Sequence, residues 1–309
     1  MAALDPAKFR NPALTATGGR RAVVALGRLH TLWFNTGTLC NVTCAHCYIE
    51  SSPRNDRLAY LTLAEVEGYL DEIERDALGT ELIGFTGGEP FLNPALPEMI
   101  EAALGRGFRV LVLTNAMRPM MRLAARLRPL ARYGERLTMR VSLDHHSREI
   151  HERERGPRSW APGVAGLRWL AAAGFRVALA GRRFTGETEA ELRRGYARLL
   201  SDLDIALDTE DPEALVLFPE MDPDADVPEI TEACWAVLRR RPEQVMCASA
   251  RMVVRRRDEP APSVVACTLL PYDGRFALGA TLREAARPVA LNHPHCARFC
   301  VLGGAACSG

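Results

Sequence analysis

Short β-branched and aliphatic runs recur along this chain about every thirty residues, with helical patterns between them, and that alternation limits the fold more than any other feature. The runs are TLWFNT (31–36), LIGFT (82–86), RVLVLT (109–114), LTMRVSL (137–143), FRVALA (175–180) and ALVLF (214–218). Thr62 and Glu65 open the helical segment after the first run as a capping box, and Thr188 and Glu191 open another. The stretch PALPEMIEAALGRG starts on proline and stops at Gly105 and Gly107. Strand–helix units in series build a parallel sheet with helices on its faces. Six such units fall short of the closed eight-fold barrel. The expected fold is therefore α/β, a partial (β/α)6 TIM-like barrel.

The pattern changes after residue 220. MDPDADVPE reads as an acidic linker. A helix is expected over 229–241, and RMVVRRR and SVVACTL, separated by DEPAP, read as a β-hairpin. The expected organisation is an N-terminal segment (1–29), a core domain (30–220) and a small cysteine-rich α+β extension (221–309). The first thirty residues are too short for a domain that binds a leader peptide.

A net charge of +1 on 309 residues offers no strong field for nucleic acid or an anionic membrane. No run of about 18 apolar residues predicts a membrane span, and MAALDPAKFRNPALTATGGRR lacks the apolar core of a signal peptide. Nine cysteines without a secretion signal imply a reducing cytoplasm, where cysteines are ligands or catalysts more often than disulfides. Lys8 is the only lysine among 39 basic residues, which argues against Schiff-base chemistry.

Residues 39–48 read LCNVTCAHCY. A structural zinc site wants four ligands, and so does an ordinary iron–sulfur cluster. Three thiolates on one tight loop, Cys40, Cys44 and Cys47, can instead hold three irons of a [4Fe–4S] cube and leave the fourth with an open position. An open position marks a catalytic metal rather than a structural one. The loop follows the first strand at its C-terminal end, where α/β barrels build active sites. A zinc knuckle that borrows His46, or three buried free thiols, satisfies the same spacing.

The stretch CNVTCAHCY resembles the CxxxCxΦC signature of the radical S-adenosylmethionine (SAM) superfamily, with His46 at the aromatic position. The resemblance covers about residues 30–220 well and 245–309 moderately. It implies a cluster whose open iron is chelated by SAM, reductive cleavage to a 5′-deoxyadenosyl radical, and hydrogen abstraction from a substrate. It places His46 beside the adenine. It gives Gly87, Gly88 and Glu89 of FTGGEP the contact to SAM's amino group. VSLDHHSREIHERERG resembles SLDG followed by HDxxRG, which implies Ser142 against the ribose or methionine part of SAM, Asp144 at the strand mouth and Arg155 at the SAM carboxylate, where the alternative is a surface helix arginine. His145 stands where glycine is usual, and one residue is inserted before His151. The motif explains His151 as a structural residue better than as part of a histidine metal site with His145 and His146. Asn115 of LTNA supports the site or forms a turn, and Leu217 packs on adenine or in the core. Arg182 and Arg183 read as solvated arginines, with contact to a substrate acid as the alternative.

The tail places Cys247 and Cys267 around the hairpin and Cys296, Cys300 and Cys307 near its end, which resembles the SPASM/Twitch extensions of the same superfamily. That implies one auxiliary [4Fe–4S] cluster, with one thiol left over; a zinc ribbon uses the same residues. Cys234 reads as a small buried hydrophobe. In the sulfatase-maturing branch a carboxylate follows the second of these cysteines and acts as base; here Thr268 follows Cys267, and Asp273 is near. The resemblance implies an enzyme that modifies a peptide or protein, with a flavodoxin or ferredoxin as electron donor. The alternatives are cofactor biosynthesis on a tetrapyrrole or pterin-like substrate and a non-enzymatic zinc-binding module.

Overall fold

The computed structural model describes residues 3–220 and 224–305. The six expected runs form strands β1 (Thr31–Asn35), β2 (Leu82–Thr86), β3 (Arg109–Thr114), β4 (Leu137–Ser142), β5 (Arg176–Arg183) and β6 (Leu215–Pro219). They pair in sequence order, all parallel. The tail hairpin supplies β7 (Ala250–Val254) and β8 (Ser263–Val265), and β9 (Ala277–Gly279) follows. β7 pairs parallel to β1, with Thr31 opposite Ala250, so the hairpin extends the core sheet at its N-terminal edge. The sheet has nine strands in the order β9-β8-β7-β1-β2-β3-β4-β5-β6.

Five longer helices connect the strands: α1 (Leu63–Arg75), α2 (Leu96–Gly105), α3 (Arg148–Arg155), α4 (Trp160–Ala172) and α5 (Glu189–Asp202). Both capping boxes form, at Thr62/Glu65 and Thr188/Glu191. α1 buries Val66, Tyr69, Leu70 and Ile73, one face at helical spacing. That face meets the outer side of the sheet, where Phe34 stacks on Phe85 at 5.7 Å and meets Tyr69 edge-on at 6.3 Å. Strand alternation sends Trp33 to the opposite side. There the indole lies flat across Gly84, its register partner; a Cβ on Gly84 would sit 2.2 Å from the ring. Glycine in that strand interior is a condition for the packing.

The expected helix over 229–241 shrinks to Cys234–Leu238. Upstream, the Glu229 carboxylate is spent on the N-terminal segment, accepting from the N–H groups of Phe9 and Ala16 and from buried Arg21. Downstream, Arg239 adopts a left-handed conformation (φ 51°) that stops the helix. Val23–Val24 pairs antiparallel with Val289–Ala290, so residues before β1 are stitched to the tail. Among the described residues no helix is long and apolar enough to cross a membrane.

Candidate active site

The C-terminal ends of β1–β5 open into one solvent-facing cavity. Cys40, Cys44 and Cys47 line it on the loop after β1, with His46 beside them. Gly87 and Gly88 follow β2, Asn115 follows β3, Ser142 and Asp144 close β4, and Arg155 comes from the end of α3. The structure thus brings ten of the expected site residues to one wall-to-wall space. Glu89 and Leu217 are buried just outside its lining.

The two glycines are required by the cysteine loop itself. A Cβ on Gly87 would lie 2.5 Å from the carbonyl of Gly37, and one on Gly88 would lie 2.3 Å from that of Leu39. The N–H groups of Gly88 and Glu89 donate to those same two carbonyls, at 2.9 and 3.0 Å. The start of the loop is therefore zipped to the turn after β2. Glu89 accepts from the Thr114 hydroxyl (2.8 Å), the Asn115 N–H (2.8 Å) and the Phe91 N–H (3.2 Å). Burial nevertheless pushes its carboxyl up to about 7. Asn115 is fixed in turn: its amide donates to Asn41 at 2.9 Å, and its carbonyl accepts from the Met117 N–H.

Arg155 makes a two-pronged bond to Asp144, at 2.6 and 3.1 Å. Both side chains are nearly buried, at 13% and 5% exposure, so Arg155 is not a surface helix arginine. Burial pushes the Cys40 thiol up to about 12 and the Cys44 thiol up to about 11. Ligation by either must release a proton. The Ser51 N–H donates to the Cys47 sulfur at 3.3 Å.

Sequence reasoning missed Glu154 and misread Arg182. Arg182 is 6% exposed, not solvated. It donates to Glu154 at 2.6 Å and to Glu220 at 3.2 Å, and it lines the cavity with Ala180. Two-residue alternation along β5 was the available signal: Arg182 shares the inward face with Ala180. Glu154 accepts from the His46 N–H (3.0 Å) and meets its Nδ1 (2.8 Å).

His145, His146 and Glu187 do converge, with ligand atoms within 4.8 Å of one another. A hydrogen-bond account covers them without a metal. The Nδ1 of His145 accepts from the Ser147 N–H at 2.9 Å, so its Nε2 carries the proton donated to Glu187 at 2.7 Å. His151 packs on Trp160 and stands apart from this group.

In the tail, Cys247, Cys267, Cys296 and Cys300 line a second, smaller cavity. Burial pushes Cys247 up to about 11 and Cys296 up to about 12. The Leu269 N–H donates to the Cys267 sulfur at 3.4 Å. Buried Arg251 donates to the carbonyls of Cys247, Ala250, Ala285 and Arg287 beneath them. Cys234 is bonded to Thr231 instead and does not line this cavity. Cys307 lies outside the described residues.

A zinc ion with thiolates at about 2.3 Å draws its ligand atoms within about 4 Å of one another. Among the described residues no three cysteines, in the loop or in the tail, have their sulfurs that close. Three thiols on a cavity lined by polar groups and four on a mostly apolar one are the donor sets of an iron–sulfur cluster with an open position and of one without.

The family model described as the radical SAM superfamily matches residues 34–197. The mycofactocin maturase MftC of Mycobacterium ulcerans is 33% identical over 136 residues, 44% of this chain and 35% of that protein. The antilisterial bacteriocin subtilosin biosynthesis protein AlbA of Bacillus subtilis is 33% identical over 118 residues, 38% of this chain and 25% of that protein. An AdoMet-dependent heme synthase of Methanosarcina barkeri is 30% identical over 137 residues, 44% of this chain and 37% of that protein. The chain thus spans about a third or less of the first two relatives' length. In fold it is similar to SuiB of Streptococcus suis bound to S-adenosylmethionine, with a TM-score of 0.59 and 11% identity over 81% of this chain and 63% of that one.

Proposed function

Because this chain belongs to the radical SAM superfamily, we propose that the cavity at the strand mouths holds a [4Fe–4S] cluster and SAM, and that the enzyme modifies a peptide or protein. The carrying observation is the convergence of Cys40, Cys44 and Cys47 with Asn115, Ser142 and the Asp144–Arg155 pair on one cavity. The cluster and SAM, when bound, supply an electron transfer that yields a 5′-deoxyadenosyl radical able to take a hydrogen atom from substrate. The zinc-module alternative falls with the family assignment.

The protein's part is to orient and shield. Three thiols from one loop leave the remaining ligand position to SAM. Glu89 uses three of a carboxylate's roughly four acceptor sites on protein donors, which leaves capacity for one ammonium. Asp144 holds the Arg155 guanidinium in a fixed fork, suited to a carboxylate at the cavity side. His46 and Ser142 line the space left for the nucleoside. Leu217 lies against Gly181, on which a Cβ would sit 2.9 Å away, and its role there is packing. The tail cavity takes one auxiliary [4Fe–4S] cluster on Cys247, Cys267, Cys296 and Cys300, four thiolates for four irons. Flavodoxin or ferredoxin supplies the electron, in a cytoplasm reducing enough to keep these thiols free.

A peptide substrate is supported by the match to a bacteriocin biosynthesis protein. A second groove adjoins the SAM cavity through His46, Cys47, Tyr48 and Leu269 and offers a surface beside it for a substrate chain. The match to a heme synthase favours the second reading, a small tetrapyrrole-like substrate. The test is anaerobic reconstitution followed by dithionite and SAM. Formation of 5′-deoxyadenosine is expected, with deuterium carried into it from a labelled peptide and not from a labelled tetrapyrrole. Absence of 5′-deoxyadenosine from protein loaded with iron and sulfide sinks the enzyme reading; deuterium from the tetrapyrrole alone sinks the peptide one.

A further inference from the structure

The sequence of α3, REIHERER, reads as a solvated run of charge, yet Glu154 is only 3% exposed. An ionised carboxylate at such a position costs several kcal/mol unless its oxygens are bonded and its charge is paired. Both conditions are met by residues far away in sequence. One carboxylate oxygen accepts from the His46 N–H at 3.0 Å and from Arg182 at 2.6 Å. The other meets the His46 Nδ1 at 2.8 Å. The Glu154 main-chain carbonyl accepts from the Ala45 N–H at 2.8 Å. Arg182 completes the grip by donating to the His46 carbonyl at 3.1 Å and to Glu220 at 3.2 Å, with its guanidinium 5.0 Å from the centre of the Tyr48 ring.

Every main-chain polar group of His46 is thus tied to this one buried pair, and so is its imidazole. The bonds fall on the two residues between Cys44 and Cys47. The His46 side chain itself is 53% exposed, so packing alone does not fix its ring. A buried ion pair is a poor device for stability, since apolar residues of similar volume often serve as well or better. An arrangement that directs a costly pair at a single half-exposed ring serves position instead. Glu154 also occupies one of the unspecified positions of the HDxxRG stretch, so the role does not come with that motif.

We propose that Glu154, held by Arg182, is a positioning residue that fixes His46 and the turn before Cys47, and thereby sets the affinity for SAM without being needed to hold the cluster. The proposal rests on the reading of the cavity as a SAM site. Removing a partner that orients a group beside a metal centre typically costs about 10- to 100-fold in affinity or activity.

The test uses reconstituted full-length protein and SAM, with affinity read from the change SAM causes in the electron paramagnetic resonance signal of the reduced cluster. Glu154→Leu paired with Arg182→Leu removes both charges together, so neither is left buried alone. This variant is expected to keep the parent's melting temperature within a few degrees, keep its iron and sulfide, and bind SAM at least about tenfold more weakly. In a His46→Phe background the same pair of changes is expected to add less than about twofold, because the effect runs through His46. Glu154→Gln, which keeps shape and fold, is expected to weaken SAM binding about threefold or more; it decides the matter if the paired variant does not fold. SAM affinity within about twofold of the parent in either variant overturns the proposal. So does an undiminished effect in the His46→Phe background, or loss of iron from a folded chain. A parent whose signal ignores SAM overturns the reading of the cavity and this proposal with it. A responsive parent beside equally responsive variants overturns the proposal alone.

Discussion

The two cysteine cavities of this protein differ in where their sulfurs come from and in what surrounds them. The first draws three thiols from a single loop and opens to solvent, with Asn115, Ser142, Asp144 and Arg155 around it. The second draws four from three separate segments, at Cys247, at Cys267, and at Cys296 with Cys300, and its remaining lining is mostly apolar, with His295 at one side. A set that closes on itself holds a cofactor; a set one ligand short, facing polar groups, leaves a position for something that arrives and departs. The two regions touch through aromatic rings. Tyr48, next to Cys47, meets Phe299, next to Cys300, edge-on at 6.0 Å, and Phe299 stacks on Phe218 at 5.6 Å. The contrast between them is therefore one of chemistry rather than of separation.

The largest expected effect comes from removing one sulfur on each side. Cys44→Ala is expected to drop 5′-deoxyadenosine formation from dithionite and SAM to the level without enzyme. Cys267→Ala is expected to lose about half the iron, one cluster of two, while SAM cleavage persists, perturbed by less than about tenfold. The measurement is 5′-deoxyadenosine by chromatography beside iron and sulfide per chain. Full SAM cleavage by Cys44→Ala, or none by a folded Cys267→Ala protein, breaks the division of labour.

Much of the first region is written locally, and that is why it was legible. Cys40, Cys44 and Cys47 are neighbours in sequence, the Gly87–Glu89 turn ends a strand, and capping boxes at Thr62 and Thr188 span four residues each. What could not be read is what crosses between elements. Glu154 lies 108 residues from its partner His46 and 28 from Arg182. Within its own helix it is one charge among many, and nothing local distinguishes it from Glu152. The pairing of β7 with β1 is of the same kind: the hairpin was legible from its turn, its place beside the first strand was not. In the tail, composition announced a metal site, but the meeting of Cys247, Cys267, Cys296 and Cys300 on one cavity could be seen only in the fold.

A smaller effect sharpens the open side of the comparison. Glu89→Gln is expected to weaken SAM binding about 10- to 100-fold, the range of a charged hydrogen bond worth about 1.5–3 kcal/mol, while the first cluster still assembles. The pH dependence follows from the carboxyl held at about 7 in the folded protein. An ammonium prefers the ionised form, so SAM affinity is expected to rise as pH increases through about 7, and to lose that rise in Glu89→Gln. Stability without SAM runs the other way. The raised value favours the folded state below about 4.5, the usual range, and that contribution is lost as pH rises through about 7. Unchanged SAM affinity in Glu89→Gln, with a parent-like pH profile, removes Glu89 from the site.

The smallest expected effect is the most specific test of the closed side. If the tail set is complete with Cys247, Cys267, Cys296 and Cys300, the remaining cysteines are spectators. Cys234 is engaged with Thr231, whose N–H and hydroxyl both lie 3.3 Å from its sulfur, and Cys307 is the fifth thiol of the tail. Cys234→Ala and Cys307→Ala are each expected to leave iron and sulfide per chain within about 10% of the parent, whereas Cys300→Ala lowers iron by about half. A loss of iron in Cys307→Ala equal to that in Cys300→Ala would mean that the set reaches beyond these four. The closed cavity would then be closed differently, with one of the four sulfurs displaced in favour of the last cysteine of the chain.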